Sequence, residues 1–119
     1  NESIVYTVNS VEELFSNNPY IQPGKGCIFY GVNVSIENMG TVSEGIVSYK
    51  FQLIDNEENS YSHRCLFTPR GELITRELFP GRIHRGDLSY EIPKNAKGLK
   101  LEIGTGPFSE EMIIFKLGR

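Results

Sequence analysis

Apolar and polar residues alternate with a period of two through most of the chain. From Cys27 to Asn38, Ile28, Tyr30, Val32, Val34 and Ile36 fall on one face, and Gly31, Asn33, Ser35 and Glu37 on the other. Successive side chains of a strand leave opposite faces, so this spacing predicts a strand with one buried and one wet side. Leu88, Tyr90 and Ile92 alternate with Ser89 and Glu91, and Leu99, Leu101 and Ile103 alternate with Lys100 and Glu102. The turn formers Pro93-Lys-Asn-Ala-Lys-Gly98 join those two strands. Further strands are predicted at Ile4 to Val8, Ile46 to Ile54, Ser60 to Arg64 and Met112 to Leu117. In the second of these, Val47, Tyr49, Phe51 and Leu53 face inward, while Ser48, Lys50 and Gln52 face out. Ser10-Val-Glu-Glu13 has the capping-box spacing and predicts one helical turn carrying Leu14 and Phe15, broken by Asn17-Asn-Pro19. Leu73 to Phe79 reads as strand or short helix.

About seven short strands with frequent turn signals predict an all-β fold, an immunoglobulin-like two-sheet antiparallel β-sandwich. A chain of 119 residues, 39% of them hydrophobic, fits one domain over 1–119 with an adequate core. Trp is absent, so the Cys, Trp and Cys hallmark of antibody domains is missing. With 12 basic and 15 acidic residues, the chain offers no electrostatic reason to expect nucleic acid. Lys94, Lys97 and Lys100 form only a small local group on a turn and strand edge. No apolar run approaches the roughly 20 residues of a membrane-spanning helix. Asn1-Glu-Ser-Ile does not read as a signal peptide.

Several stretches together resemble the DUF4352 (telokin-like) domains: Tyr6-Thr-Val-Asn-Ser-Val11, the strand ending in Glu37-Asn-Met-Gly40, Phe51-Gln-Leu-Ile-Asp55 with Tyr61, Leu78-Phe-Pro-Gly81, and Ile92 to Leu101. The resemblance covers nearly the whole chain. It implies an Ig-like sandwich of the kind found in bacterial and archaeal lipoproteins and secreted proteins, related in fold to mycobacterial immunoprotective extracellular antigens. It also implies an extracellular or cell-envelope setting, with room for a membrane tether through an N-terminal lipid anchor. The family offers no catalytic or binding residues to carry over. The chain departs from its pattern at Asp55-Asn-Glu-Glu-Asn59, which lacks the usual turn glycine, and between Cys65 and Arg76.

Candidate chemistry is sparse. Arg85-Gly86-Asp87 spells an adhesive tripeptide, but Gly86 directly precedes an alternating strand, where a strand-start or bulge role accounts for it. In an exported chain Cys27 and Cys65 suggest a disulfide, while the placement of Cys27 opposite Ile28 and Tyr30 suits two free thiols equally. His63 and His84 with the cysteines give too little local spacing for zinc. The acidic run from Asp55 to Asn59 lacks the spacing and glycine of a calcium loop and reads as a solvated hairpin turn. No nucleophile elbow, zinc-protease helix or phosphate loop is present.

The sequence therefore predicts a non-catalytic binding or structural module without a cofactor, acting by surface recognition of a protein or envelope component. Its contact residues are expected on the polar face Asn33, Ser35, Ser48, Lys50 and Gln52, or in Cys65 to Arg76. The alternative is a small-ligand or metal-binding accessory domain.

Overall fold

A computed structural model describes residues 3–46, 50–64, 68, 71–73, 76–104 and 112–118. They form β1 (Ile4–Leu14), β2 (Cys27–Asn38), β3 (Glu44–Ile46), β4 (Phe51–Ile54), β5 (Ser60–Ser62), β6 (Arg76–Leu78), β7 (Ile83–Pro93), β8 (Lys100–Gly104) and β9 (Met112–Lys116). One sheet has the order β1-β2-β7 and another β5-β4-β8-β9, with β3 and β6 pairing separately. Every strand pair is antiparallel. The fold is the all-β sandwich that the alternation predicts.

The inward faces of the two large sheets make the core. Val32, Val34, Leu88 and Tyr90 from one sheet join Phe51, Leu53, Leu101 and Ile103 from the other, all within 3% of full burial. Phe115 packs against them from β9, and Val47 lies outside the described residues. Burying each such side chain stabilises by roughly 1.5–3 kcal/mol. A polar bond also spans the layers: the buried Tyr90 hydroxyl donates to the Phe51 carbonyl at 2.9 Å. Burial pushes the Tyr90 phenol well above its ordinary pKa, so that donor stays protonated.

Three expectations need correction. The helical turn at Ser10 to Phe15 is strand. β1 runs on to Leu14, paired with β2 as far as Phe29, after a register shift between Val8 and Ser10. A short capping signal cannot compete with a partner strand that pairs with this stretch residue by residue from Ser10 to Leu14. The second face of β2 is not uniformly wet, since Phe29 is 1% and Asn33 7% exposed. Leu14 reaches back over it, and a Cβ on Gly31 would lie 2.7 Å from a Leu14 methyl. Finally, Ile46 to Ile54 is not one strand: β3 and β4 end and begin on either side of residues 47–49, which lie outside the described residues, and they belong to different sheets.

Asn38 closes one end of the sandwich. Fully buried, it donates through Nδ2 to the Val42 and Leu78 carbonyls, each at 2.9 Å, and accepts the Gly40 N–H through Oδ1. The turn after β2 and the turn before β7 are thereby locked side by side.

Candidate functional site

On the outer face of β1-β2-β7 the polar side chains are linked, not scattered. Asp87, with no exposed surface, accepts from Asn33 Nδ2 at 2.7 Å. Asn33 Oδ1 accepts from Asn9 Nδ2 at 2.9 Å, and the same Asn9 nitrogen donates to Ser35 Oγ at 2.8 Å. Arg85 Nε donates to that Ser35 oxygen at 3.1 Å. The line thus runs from a buried carboxylate to an exposed guanidinium across three strands. Strand pairing sets it up, because Thr7, Ser35 and Arg85 are register partners, as are Ser10, Asn33 and Asp87. Asn9 enters through the irregularity between Val8 and Ser10, which turns its side chain onto this face. Beside it lies an open groove of about 240 Å³ lined by Val5, Thr7, Asn9, Ser35, Glu37, Ile83 and Arg85.

The predicted contact residues do not form one face. Asn33 and Ser35 belong to this line on β2. Gln52 lies on β4 in the other sheet, its Oε1 accepting from the Ser60 and Ser62 hydroxyls at 3.0 and 3.2 Å. Half-buried Lys50 immediately precedes β4, and Ser48 lies outside the described residues. Sequence reading missed Asn9, and it considered Arg85 and Asp87 only as parts of an adhesive tripeptide. The last two were legible, since extending the β7 alternation back to Ile83 puts both on the face of Ser89 and Glu91. The Asn9 position was not legible, because its bulge breaks the parity of β1.

Gly86 within Arg85-Gly86-Asp87 has a different task from the strand start or bulge expected. It lies inside β7, where the backbone of residues 71–73 runs alongside. The Leu73 N–H bonds the Asp87 carbonyl at 2.9 Å, and the Asp87 N–H bonds the Gly71 carbonyl at 2.8 Å. A Cβ on Gly86 would stand 2.6 Å from Leu73 backbone atoms. Full burial of Asp87 removes the adhesive reading.

The other candidates resolve into structural roles. His63, its ring 4% exposed, accepts the Ser89 N–H on Nδ1 at 2.8 Å. Its Nε2 therefore carries the proton and donates to Glu72 Oε2 at 2.7 Å. Asp55 Oδ1 accepts the N–H groups of Glu57 and Asn59, while Oδ2 accepts Asn59 Nδ2 and the Tyr61 hydroxyl. Burial opposes its charge, but these hydrogen bonds prevail and hold the carboxyl at about 2. Its oxygens are thus filled by donors in a hairpin turn, and no cluster suited to a metal occurs among the described residues. Burial first, then the bond to Asp55, raises Tyr61 to about 12. Cys27 is a free, half-buried thiol at the start of β2, and Cys65 lies outside the described residues. No helix among them is long and apolar enough to cross a membrane.

Comparison with known proteins gives a family and a fold. The model of a domain of unknown function, DUF4352, matches residues 1–113. A candidate lipoprotein of Bacillus subtilis, ycdA, superposes with a TM-score of 0.75 at 15% identity over 98% of this chain and 37% of its own. The chain thus spans little more than a third of that protein's structure. The yjhA protein of Bacillus subtilis superposes with a TM-score of 0.67 at 21% identity, covering 97% of this chain and 91% of its own. A functionally unknown protein of Listeria monocytogenes gives a TM-score of 0.69 at 12% identity, covering 98% and 78% respectively. At these identities the likeness shows the fold alone. No curated protein matches the chain.

Proposed function

The chain belongs to the DUF4352 family, and from that membership we propose a non-catalytic contact module of a cell-envelope protein. It recognises a partner through the outer face of β1-β2-β7. The observation that carries this reading is the bonded line from buried Asp87 through Asn33, Asn9 and Ser35 to exposed Arg85. The bond of Asn33 to buried Asp87 is a need of the fold itself, but a sandwich gains little from fixing the exposed Asn9 and Arg85 on its outside. Immobilising a long side chain costs up to about 2 kcal/mol of rotamer freedom. Prepaying that cost favours binding, because less order remains to be imposed when a partner arrives. The likeness to a candidate lipoprotein supports the envelope setting.

Catalysis fits the same residues poorly. Ser35 Oγ accepts from Asn9 and Arg85, and neither is a base that could take its proton. His63 has both nitrogens committed within a buried clasp. A small ligand is the second reading, since Arg85 and Glu37 line one groove. At about 240 Å³ and open, that groove falls below the roughly 300–1,000 Å³ usual for small-molecule sites, which favours a macromolecular contact.

The test is capture from an envelope fraction on immobilised chain, comparing wild type with Arg85→Glu and Asn9→Ala. A species held by wild type and lost with both variants supports the proposal. Equal capture by all three, or substrate turnover abolished by changing His63 or His84, overturns it.

A further inference from the structure

The large apolar side chains left exposed are unevenly distributed. Of eight such residues among those described, Val5, Met39, Val42, Phe79 and Ile83 gather at the end of the sandwich closed by Asn38. They are 41%, 68%, 68%, 55% and 61% exposed, respectively. The bonds of Asn38 to Val42, Leu78, Arg82 and Gly81 hold their two turns together as one tip. The chain as a whole has more acidic than basic residues, yet residues 38–43 and 78–86 contain no carboxylate and include exposed Arg82 and Arg85. A cleft of about 380 Å³ lined by Phe79 and Arg82 adds Arg76 and Glu77. The other carboxylates bordering this end, Glu37 and Glu44, are half-buried and set back on β2 and β3.

We propose that this tip docks on a bilayer bearing anionic phosphodiester headgroups, an inference that rests on the envelope setting proposed above. Met39, Val42 and Phe79 enter the acyl boundary, and Arg82 engages the phosphates at headgroup level. Apolar side chains ringed by guanidinium groups match the layering of an anionic membrane surface, with hydrocarbon within reach of charge. Arginine is also the side chain whose planar fork best matches phosphate oxygens. The opposite end lacks that separation. Phe15 and Tyr20 are exposed there too, but the Lys94 to Lys97 turn is tied to the acidic hairpin by the Asn56 N–H bond to the Lys97 carbonyl. Glu57 and Glu58 therefore flank those lysines.

Vesicle co-sedimentation of the purified chain tests this, with vesicles of phosphatidylcholine alone and of phosphatidylcholine mixed equally with phosphatidylglycerol. The chain should pellet with the anionic vesicles only, and less as salt rises. The double variant Met39→Ser, Phe79→Ser and the single variant Arg82→Glu should each lower partitioning about tenfold or more. Tyr20→Ser should leave it unchanged. All three sets alter exposed positions, and circular dichroism checks that each still folds. Failure to pellet, or equal pelleting of the tip variants, overturns the proposal. So does self-association abolished by Met39→Ser, Phe79→Ser without vesicle binding, which would assign the tip to a second copy. Absence of vesicle binding by the wild-type chain, with its envelope capture intact, would sink this inference and spare the module reading.

Discussion

The imidazole of His63 takes the place of a strand beside Ser89. Nδ1 accepts the Ser89 N–H at 2.8 Å, while the Ser89 carbonyl accepts the Arg64 N–H at 2.7 Å. Two residues along β7, the backbone of Gly71 and Leu73 does the same for Asp87. The outer edge of β7 is thus covered in two places, and the bond from His63 to Glu72 clasps the two covering segments together. An open edge would offer unpaired amides to any passing strand. The clasp is a way of closing one.

Replacing His63 by Ala should therefore leave the buried Ser89 amide without its acceptor and cost about 1–3 kcal/mol. Urea unfolding measures the loss. Amide exchange should also quicken at Ser89 and Leu73 ahead of the β2 amides. A variant as stable as wild type, with unchanged exchange at Ser89, would show that the imidazole does not hold this edge.

The Asp55 and Tyr61 pair predicts the pH dependence of stability. Asp55 falls from an ordinary 3.8 to about 2 on folding. Its contribution is present above about pH 4 and is lost as pH falls toward the folded value. Tyr61 rises from 10.0 to about 12, so its contribution is complete below its ordinary value and is lost as pH climbs to the folded one. Asp55→Asn should flatten the acid limb of a plot of melting temperature against pH. Tyr61→Phe should reduce the alkaline limb without abolishing it, because Tyr90 also resists ionisation. An acid limb unchanged in Asp55→Asn would contradict the assignment.

Gly86 predicts a sharper loss than its place in a strand suggests. Gly86→Ala should destabilise by about 1–3 kcal/mol or more, because the new methyl meets backbone that cannot swing aside as a side chain would. Gly45→Ala, where a Cβ meets no neighbour, is the control and should stay within about 0.5 kcal/mol of wild type. Equal effects in the two variants would mean that Leu73 does not lie against Gly86.

Alternation made the core legible from sequence, and the reason is physical. In a strand, parity alone decides which residues meet the opposite sheet, so Leu88, Tyr90, Leu101 and Ile103 could be placed without knowing the pairing. Parity fails where the backbone is irregular. The bulge at Asn9 carried a polar side chain to the outer face and hid the link to Asn33 and Ser35. Sheet membership was also hidden, since period two says which way Gln52 points but not which sheet holds it. His63 shows a third limit: its role depends on a β7 edge that exists only once the strands have been ordered.

An amide NMR map of the labelled chain, titrated with the envelope fraction that its immobilised form captures, locates the recognition face residue by residue. Shifts or broadening should concentrate at Thr7, Asn9, Ser35 and Arg85 on the outer face of β1-β2-β7, and all should be absent in Arg85→Glu. Perturbation centred instead on the Asp55 hairpin, on the clasp of His63 and Glu72, or on the Gln52 face would contradict that location.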